Sequence, residues 1–322
     1  MKSREIKLIK VGVLMGGPSA EHEVSLATGQ NVLQYLDRSK YEPVAVKILK
    51  TGKWLLNGKF TTPDKAVKEC DVIFNALHGY YGEDGKVQAL LEHSKVRYTG
   101  SGVGASAIAM DKFHSRELFK LAGLNVPKTM KITKGENYSA RLQFFVNKIT
   151  KLPVAVKPCS NGSSVGVSIV ENLVALDKAV AAAFKFDKEV LVEEFIKGRE
   201  LTCGVLDPSG ALPVTEIIPL KDHKFFNYQA KYKNGHANEI TPAPLDDILY
   251  KKAQEIAVKA HQILACRGYS RTDMLLKNGN GTIYVLETNT LPGLTKNSLL
   301  PKAAASAGLS FSQLLDHIIS NS

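Results

Sequence analysis

The chain has 322 residues, 44% hydrophobic and 23% charged, with a formal net charge of +11. This is the profile of a soluble globular protein of two or three domains, and no stretch approaches a membrane span. Its four cysteines, Cys70, Cys159, Cys203 and Cys266, lie far apart with no C-x-x-C pair, which argues against a disulfide framework and a zinc motif.

The N-terminal lysines precede an apolar run of only Val11 to Met15, too short for a signal segment, so a cytoplasmic protein is expected. The lysines are spread along the chain rather than gathered into runs. Small phosphorylated or carboxylate ligands therefore suit the charge as well as nucleic acid does.

In chain order, residues 6–15 read as a strand that becomes fully apolar at its end. A turn at Gly16-Gly17-Pro18-Ser19 leads to a helix with Val24, Leu26, Val32, Leu33 and Leu36 at helical spacing, Glu21 and Glu23 falling in its first turn. Tyr41–Leu49 and Asp71–Leu77 read as further strands. Strand and helix alternating over the first hundred residues predict a parallel sheet covered on both faces, with ligands at the C-terminal ends of its strands. Gly17–Glu23 and His78–Gly85 fall at those ends. Gly100-Ser101-Gly102-Val103-Gly104-Ala105 formally fits the G-x-G-x-x-A fingerprint but stands in the wrong context. It reads as a domain-joining turn before one helix through Ile108, Met110, Phe113 and Leu118.

Lys157-Pro158-Cys159-Ser160-Asn161-Gly162-Ser163-Ser164-Val165-Gly166 lies between two apolar runs. It predicts a hairpin whose small-residue tip lets backbone N–H groups converge on an anion, with Lys157 adding positive charge. Leu173–Phe184 predicts a helix, and Glu189–Ile196 a strand that turns polar. Residues 201–206 and 212–219 read as antiparallel strands, 221–244 as an aperiodic functional loop, 246–265 as a long helix and 311–319 as a closing helix. Residues 271–289 form a second hairpin across Asn278-Gly279-Asn280-Gly281. Asp273 lies on one of its strands. Glu287 and Asn289 lie two apart on the other, so they share a face. Two carboxylates and an amide oxygen suit Mg²⁺.

With these residues in place, the chain resembles the ATP-grasp carboxylate–amine ligases, and within them the D-alanine:D-alanine ligases, from about Val11 to Leu315. The motifs are Gly16-Gly17-x-Ser19-x-Glu21-x-Glu23-Val24-Ser25-Leu26, Leu77-His78-Gly79 with Gly82-Glu83-Asp84-Gly85, and Met110-Asp111-Lys112. Lys157–Gly166, Gly198-Arg199-Glu200, Ala230-Lys231-Tyr232, Arg271-Thr272-Asp273 and Glu287–Thr295 with Ser298 complete them.

The resemblance implies a three-domain ATP-grasp architecture of α/β class, α+β in its C-terminal half: 1–100 for substrate, 101–192 for the central ATP-grasp unit, and 193–322 for metal and nucleotide. It implies that Lys112, Lys157 and Lys231 serve the nucleotide, that Glu193, Glu194, Phe195 and Ile196 hold adenine, and that Glu200 holds ribose. Asp273, Glu287 and Asn289 match the ligands of two Mg²⁺ ions, for which Mn²⁺ can substitute, and Arg271 steadies charge on the acyl and phosphoryl oxygens. Glu21 holds the first D-alanine's ammonium with support from His78. Ser163, Tyr232 and Ser298 surround the second D-alanine, and Gly293 permits close backbone approach.

The implied reaction joins two D-alanine molecules for peptidoglycan precursors. ATP phosphorylates one carboxylate, the second amine attacks the acyl phosphate, and ADP and phosphate leave. Loops 158–166 and 221–244 would exclude water. A homodimer is also implied, with no nucleic-acid or membrane partner. Two departures stand out: Phe226 where some relatives have tyrosine, and Glu194 where lysine is frequent. Formation of a D-alanine–D-lactate or D-alanine–D-serine product is the nearest alternative, and Tyr232 weighs against the former. A basic non-catalytic binding protein is the remaining one; it would lack the metal ligands or show a clustered basic face.

Overall fold

The computed structural model describes residues 7–160, 166–219 and 237–322. The first sheet has the order β4-β3-β2-β1-β5-β6, from β1 (Ile9–Gly16), β2 (Tyr41–Ile48), β3 (Trp54–Leu56), β4 (Lys59–Thr61), β5 (Val72–Asn75) and β6 (Arg97–Tyr98). Strands β2, β1, β5 and β6 are parallel, as the alternation of strand and helix predicts. The β3–β4 hairpin adds an antiparallel edge that was not anticipated.

Helices cover both faces. On one, Leu14, Val46, Ile73 and Leu77 pack with Val67 of α2 (Pro63–Lys68) and with Val87 and Leu91 of α3 (Lys86–His93). On the other, Val11, Val13 and Phe74 join Val32 of α1 (His22–Tyr35). They also join the C-terminal helices α9 (Leu299–Ser306) and α10 (Phe311–Ser320), through Leu300, Leu314 and Ile318. Burying such side chains is worth about 1.5–3 kcal/mol each, so the two ends of the chain are held together by a shared core.

The helix expected to run past Met110 is two helices, α4 (Val103–Met110) and α5 (Lys112–Leu121). Asp111 breaks it: with ψ 99° it leaves the helical region, and its carboxylate accepts from Phe113 N and His114 N to cap α5. The second sheet, β7-β10-β8-β9, comprises β7 (Thr129–Thr133), β8 (Val154–Pro158), β9 (Ser168–Val170) and β10 (Glu189–Glu194). Strands β8 and β9 pair antiparallel, which gives the expected hairpin. Its tip, 161–165, lies outside the described residues. One face of this sheet packs on α6 (Ser139–Phe144) and α7 (Leu173–Ala183) through Ile132, Val156, Leu142 and Val180.

The third sheet runs β14-β13-β11-β15-β16, with β12 (Gly210–Ala211) pairing to β11. Its strands are β11 (Gly198–Leu206), β13 (Thr215–Pro219), β14 (Ala237–Ile240), β15 (Tyr269–Lys277) and β16 (Ile283–Asn289). Residues 237–240 are thus a strand rather than loop. Helix α8 (Asp247–Ile263) packs on this sheet, and Phe119 of α5 shares that core. Helix α5 therefore lies against the third sheet while Asp111 at its N-terminus and Arg116 along it meet the second.

Candidate active site

The first group lies where ligands to a parallel sheet collect. Glu21 occupies the N-cap position of α1, and its backbone N–H donates to Ser19 Oγ at 3.0 Å. Gly79, just beyond β5, closes on the same spot. A Cβ there would lie 2.6 Å from both Glu21 Oε2 and Ser19 Oγ, on a backbone with φ +67°. His78 is buried, with Nε2 2.9 Å from Thr28 Oγ1 and Nδ1 3.4 Å from Glu83 Oε1. Burial opposes its positive charge, but Glu83 and then Glu21 outweigh it, so its pKa is raised.

A carboxylate beside a histidine of raised pKa, at a spot where Gly79 has no room for a side chain, suits the zwitterion of a small amino acid. For the substrates the sequence implies, Gly79→Ala is expected to raise KM for D-alanine about tenfold or more while leaving KM for ATP within about twofold, because the added Cβ would press on the Glu21 carboxylate and this conformation costs a side chain about 1–3 kcal/mol. Steady-state kinetics with each substrate varied in turn will check it; an equal change in both constants would remove Gly79 from the amino-acid pocket.

The segment after β16 completes this region. Asn31 of α1 donates to Leu294 O at 2.7 Å, and Leu291 and Leu294 are buried beside the first sheet. Ser298 precedes α9; its Oγ accepts from Thr295 N at 3.0 Å and lies 2.8 Å from Thr295 Oγ1. A Cβ on Gly293 would lie 2.8 Å from Ser298 Oγ, which explains glycine there.

The second group is built on the β15–β16 hairpin. Asp273 faces Glu287 across the ladder, and Arg271 faces Asn289, with a bulge directly after Asp273. Arg271 grips Asp273 with two donors, Nε to Oδ1 and Nη2 to Oδ2, each 2.8 Å. Thr202 Oγ1 donates to Oδ1 at 2.6 Å and Asn289 Nδ2 to Oδ2 at 3.2 Å. Lys112, the first residue of α5, lies 3.3 Å from Glu287. The three expected metal ligands are thus brought together. Two carboxylates and an amide oxygen, with Arg271 and Lys112 as counter-charges, form a hard donor set that fits Mg²⁺.

The third group joins the two sheets. Glu193 is 3% exposed and pairs with both Arg116 and Lys157, the latter at 2.9 Å. Arg116 Nε donates to Leu286 O at 2.7 Å, tying α5 to the strand that carries Glu287. Burial, then the neighbouring Arg116 charge, push the Lys157 amine down to about 8, against the pull of Glu193 and Glu287. Burial alone would raise the Glu193 carboxyl, but Arg116 and Lys157 hold it below the usual range. Of the residues expected to hold adenine, Glu193 therefore has its side chain committed to the lysine and arginine. Glu194 is half-buried and accepts from Lys128 N at 3.4 Å, Phe195 is half-buried, and Ile196 is buried two residues past β10. Glu200 lies on β11 opposite Ile217 and Leu275. Ser163, Phe226, Lys231 and Tyr232 lie outside the described residues.

Arg116 was not anticipated. The signal was available: it stands four residues after Lys112, so the two cations share one face of α5.

Family models describing the D-ala D-ala ligase N-terminus match residues 10–67 and 57–101, and one describing the D-ala D-ala ligase C-terminus matches 118–320. A D-alanine–D-alanine ligase of Syntrophobacter fumaroxidans is 44% identical over 313 residues, covering 97% of this chain and 96% of the relative. The chain belongs to the D-alanine–D-alanine ligase family. Among solved structures, the VanG D-Ala:D-Ser ligase of Enterococcus faecalis superposes with TM-score 0.86 at 32% identity, covering 98% of this chain and 99% of its own. The Bacillus anthracis D-alanine–D-alanine ligase complexed with ATP superposes with TM-score 0.79 at 33% identity, covering 97% and 96%. Membership of this ligase family accords with the three groups: a carboxylate and histidine at the strand ends of the first sheet, a hard-oxygen cluster and buried cations.

Proposed function

We propose that the chain joins two D-alanine molecules in an ATP- and Mg²⁺-dependent reaction through an acyl phosphate. The observation that carries this reading is the continuity of the charged network. Lys157, Glu193 and Arg116 reach the backbone of Leu286, and the next residue, Glu287, pairs with Lys112 beside Asp273. Glu21 receives the ammonium of the first D-alanine, and His78 holds that carboxylate's surroundings positive. A carboxylate oxygen of this substrate attacks the terminal phosphorus of ATP, and ADP departs. The amine of the second D-alanine then attacks the acyl carbon, phosphate leaves, and the amine's proton is lost.

Asp273, Glu287 and Asn289 would hold Mg²⁺, which neutralises phosphate charge when bound. Lys157 and Lys112 supply fixed positive charge to the phosphoryl oxygens, and Arg271, oriented by Asp273, stands beside them. Positioning and charge cancellation account for the acceleration. ADP, a homodimeric assembly and a cytoplasmic location complete the proposal. A relative named for D-alanine, 44% identical over 97% of this chain, supports D-alanine as second substrate. A coupled assay for ADP release with D-alanine, D-serine and D-lactate tests it. Release dependent on D-alanine is expected; none with D-alanine, ATP and Mg²⁺ would overturn the reading.

A further inference from the structure

At the far end of the second sheet a different set of side chains gathers. Asp111, Cys159 and Glu189 come from the cap of α5, the residue after β8 and the first residue of β10, and one ligand atom of each lies within 4.8 Å of the others. His114 Nδ1 lies 2.7 Å from Asp111 Oδ2, on the solvent side. We infer that Asp111, Cys159 and Glu189 form a binding site for a zinc-class divalent cation, separate from the oxygen cluster on the β15–β16 hairpin, with His114 orienting Asp111 from outside.

The chemistry of the donors makes the distinction. Asp273, Glu287 and Asn289 offer oxygen alone, which suits a hard ion. Sulfur and two carboxylates, with a water as fourth ligand, match the mixed donor sets that four-coordinate zinc takes. Bonds of about 2.0–2.3 Å place tetrahedral ligand atoms roughly 3.3–3.8 Å apart, so the three ligand atoms, within 4.8 Å of one another, draw together on binding. Two of its anchors are fixed: Cys159 is fully buried with its backbone N–H donating to Glu189 O, and Asp111 is held as a helix cap.

The local charges leave room for the ion. Lys131 Nζ binds Glu189 Oε1 at 2.8 Å and is the ammonium already paired here, against two carboxylates. Both carboxylates have further lone pairs beyond their present hydrogen bonds. The thiol now donates to Asp111 Oδ1 at 3.4 Å. Coordination replaces that contact by a metal–sulfur bond, and the thiol proton leaves to solvent. A bound ion would fasten the cap of α5, whose next residue is Lys112, to the end of β8, the strand that carries Lys157.

Cobalt substitution of the full chain tests this. Co²⁺ is titrated in excess Mg²⁺, which keeps the hard-oxygen cluster occupied. A near-ultraviolet thiolate-to-cobalt charge-transfer band is expected, saturating at one equivalent and displaced by Zn²⁺. It should vanish in Cys159→Ala, and Glu189→Gln should weaken apparent Co²⁺ affinity about tenfold or more. No such band in the unsubstituted protein, or a band that persists in Cys159→Ala, overturns the proposal. Should Cys159→Ala fail to fold, unchanged affinity in Glu189→Gln overturns it as well.

Discussion

Glu287→Gln is expected to lower kcat about a hundred- to a thousandfold while the melting temperature stays within a few degrees. The substitution keeps the size of the side chain and its place opposite Asp273, so β15 and β16 retain their register. A carbonyl oxygen can still accept from Lys112, now 3.3 Å from the carboxylate. What disappears is one negative charge from a site where Asp273 is already neutralised by Arg271. Removing one preorganised electrostatic contributor typically costs about 10²–10³ in rate.

The same loss would appear as a rightward shift in the Mg²⁺ concentration needed for half-maximal rate, by about tenfold or more. Turnover is read from ADP release and fold from thermal unfolding. Near-normal rates at ordinary Mg²⁺ would separate the β15–β16 carboxylates from the metal.

How much of this was readable beforehand depended on how local each signal was. The parallel strands of the first sheet were legible because Val11–Met15 and Val72–Phe74 are continuous apolar runs, as strands buried on both faces must be. The β15–β16 hairpin was legible from Asn278-Gly279-Asn280-Gly281. Asn57-Gly58 carries a comparable turn signal, but β3 and β4 are three residues each, too short for alternation to register. Helix α9 hid behind Pro301 in its first turn, a position where proline is tolerated.

The site shows the same division. Asp273, Glu287 and Asn289 belong to one hairpin, so pleating alone put them on a face. Glu193 needed a fact that no period supplies: alternation groups Glu189, Leu191 and Glu193, but only the pairing of β10 with β8 sets Lys157 beside them. The Asp111, Cys159 and Glu189 cluster was wholly illegible. No C-x-x-C spacing exists, and three separate elements must meet before their ligand atoms converge.

The buried trio gives the last expectation, in which two variants move one pH profile in opposite directions. In the unsubstituted protein Lys157 is charged below about pH 8 and neutral above it. kcat/KM for ATP should therefore fall about tenfold per pH unit beyond that point, since this ratio reports groups of the free enzyme. Arg116→Met removes the cation that repels the Lys157 proton, so the break moves to higher pH. Glu193→Gln removes the anion that holds it and leaves two buried cations facing each other, so the break moves lower.

Stability follows the same logic. Leaving a buried charge without its partner costs about 3–5 kcal/mol, so Glu193→Gln should melt well below Arg116→Met. Lys157 itself, with an ordinary value of 10.5 and a folded value of about 8, binds its proton more weakly folded than unfolded. Its contribution therefore raises stability as pH climbs from about 8 to about 10.5 and is flat below that window. Glu193 cannot be a mere packing residue if the two breaks separate. If both variants keep the parent's break near pH 8, the lysine that titrates in kcat/KM is not Lys157, and the phosphate contact must be sought at Lys112.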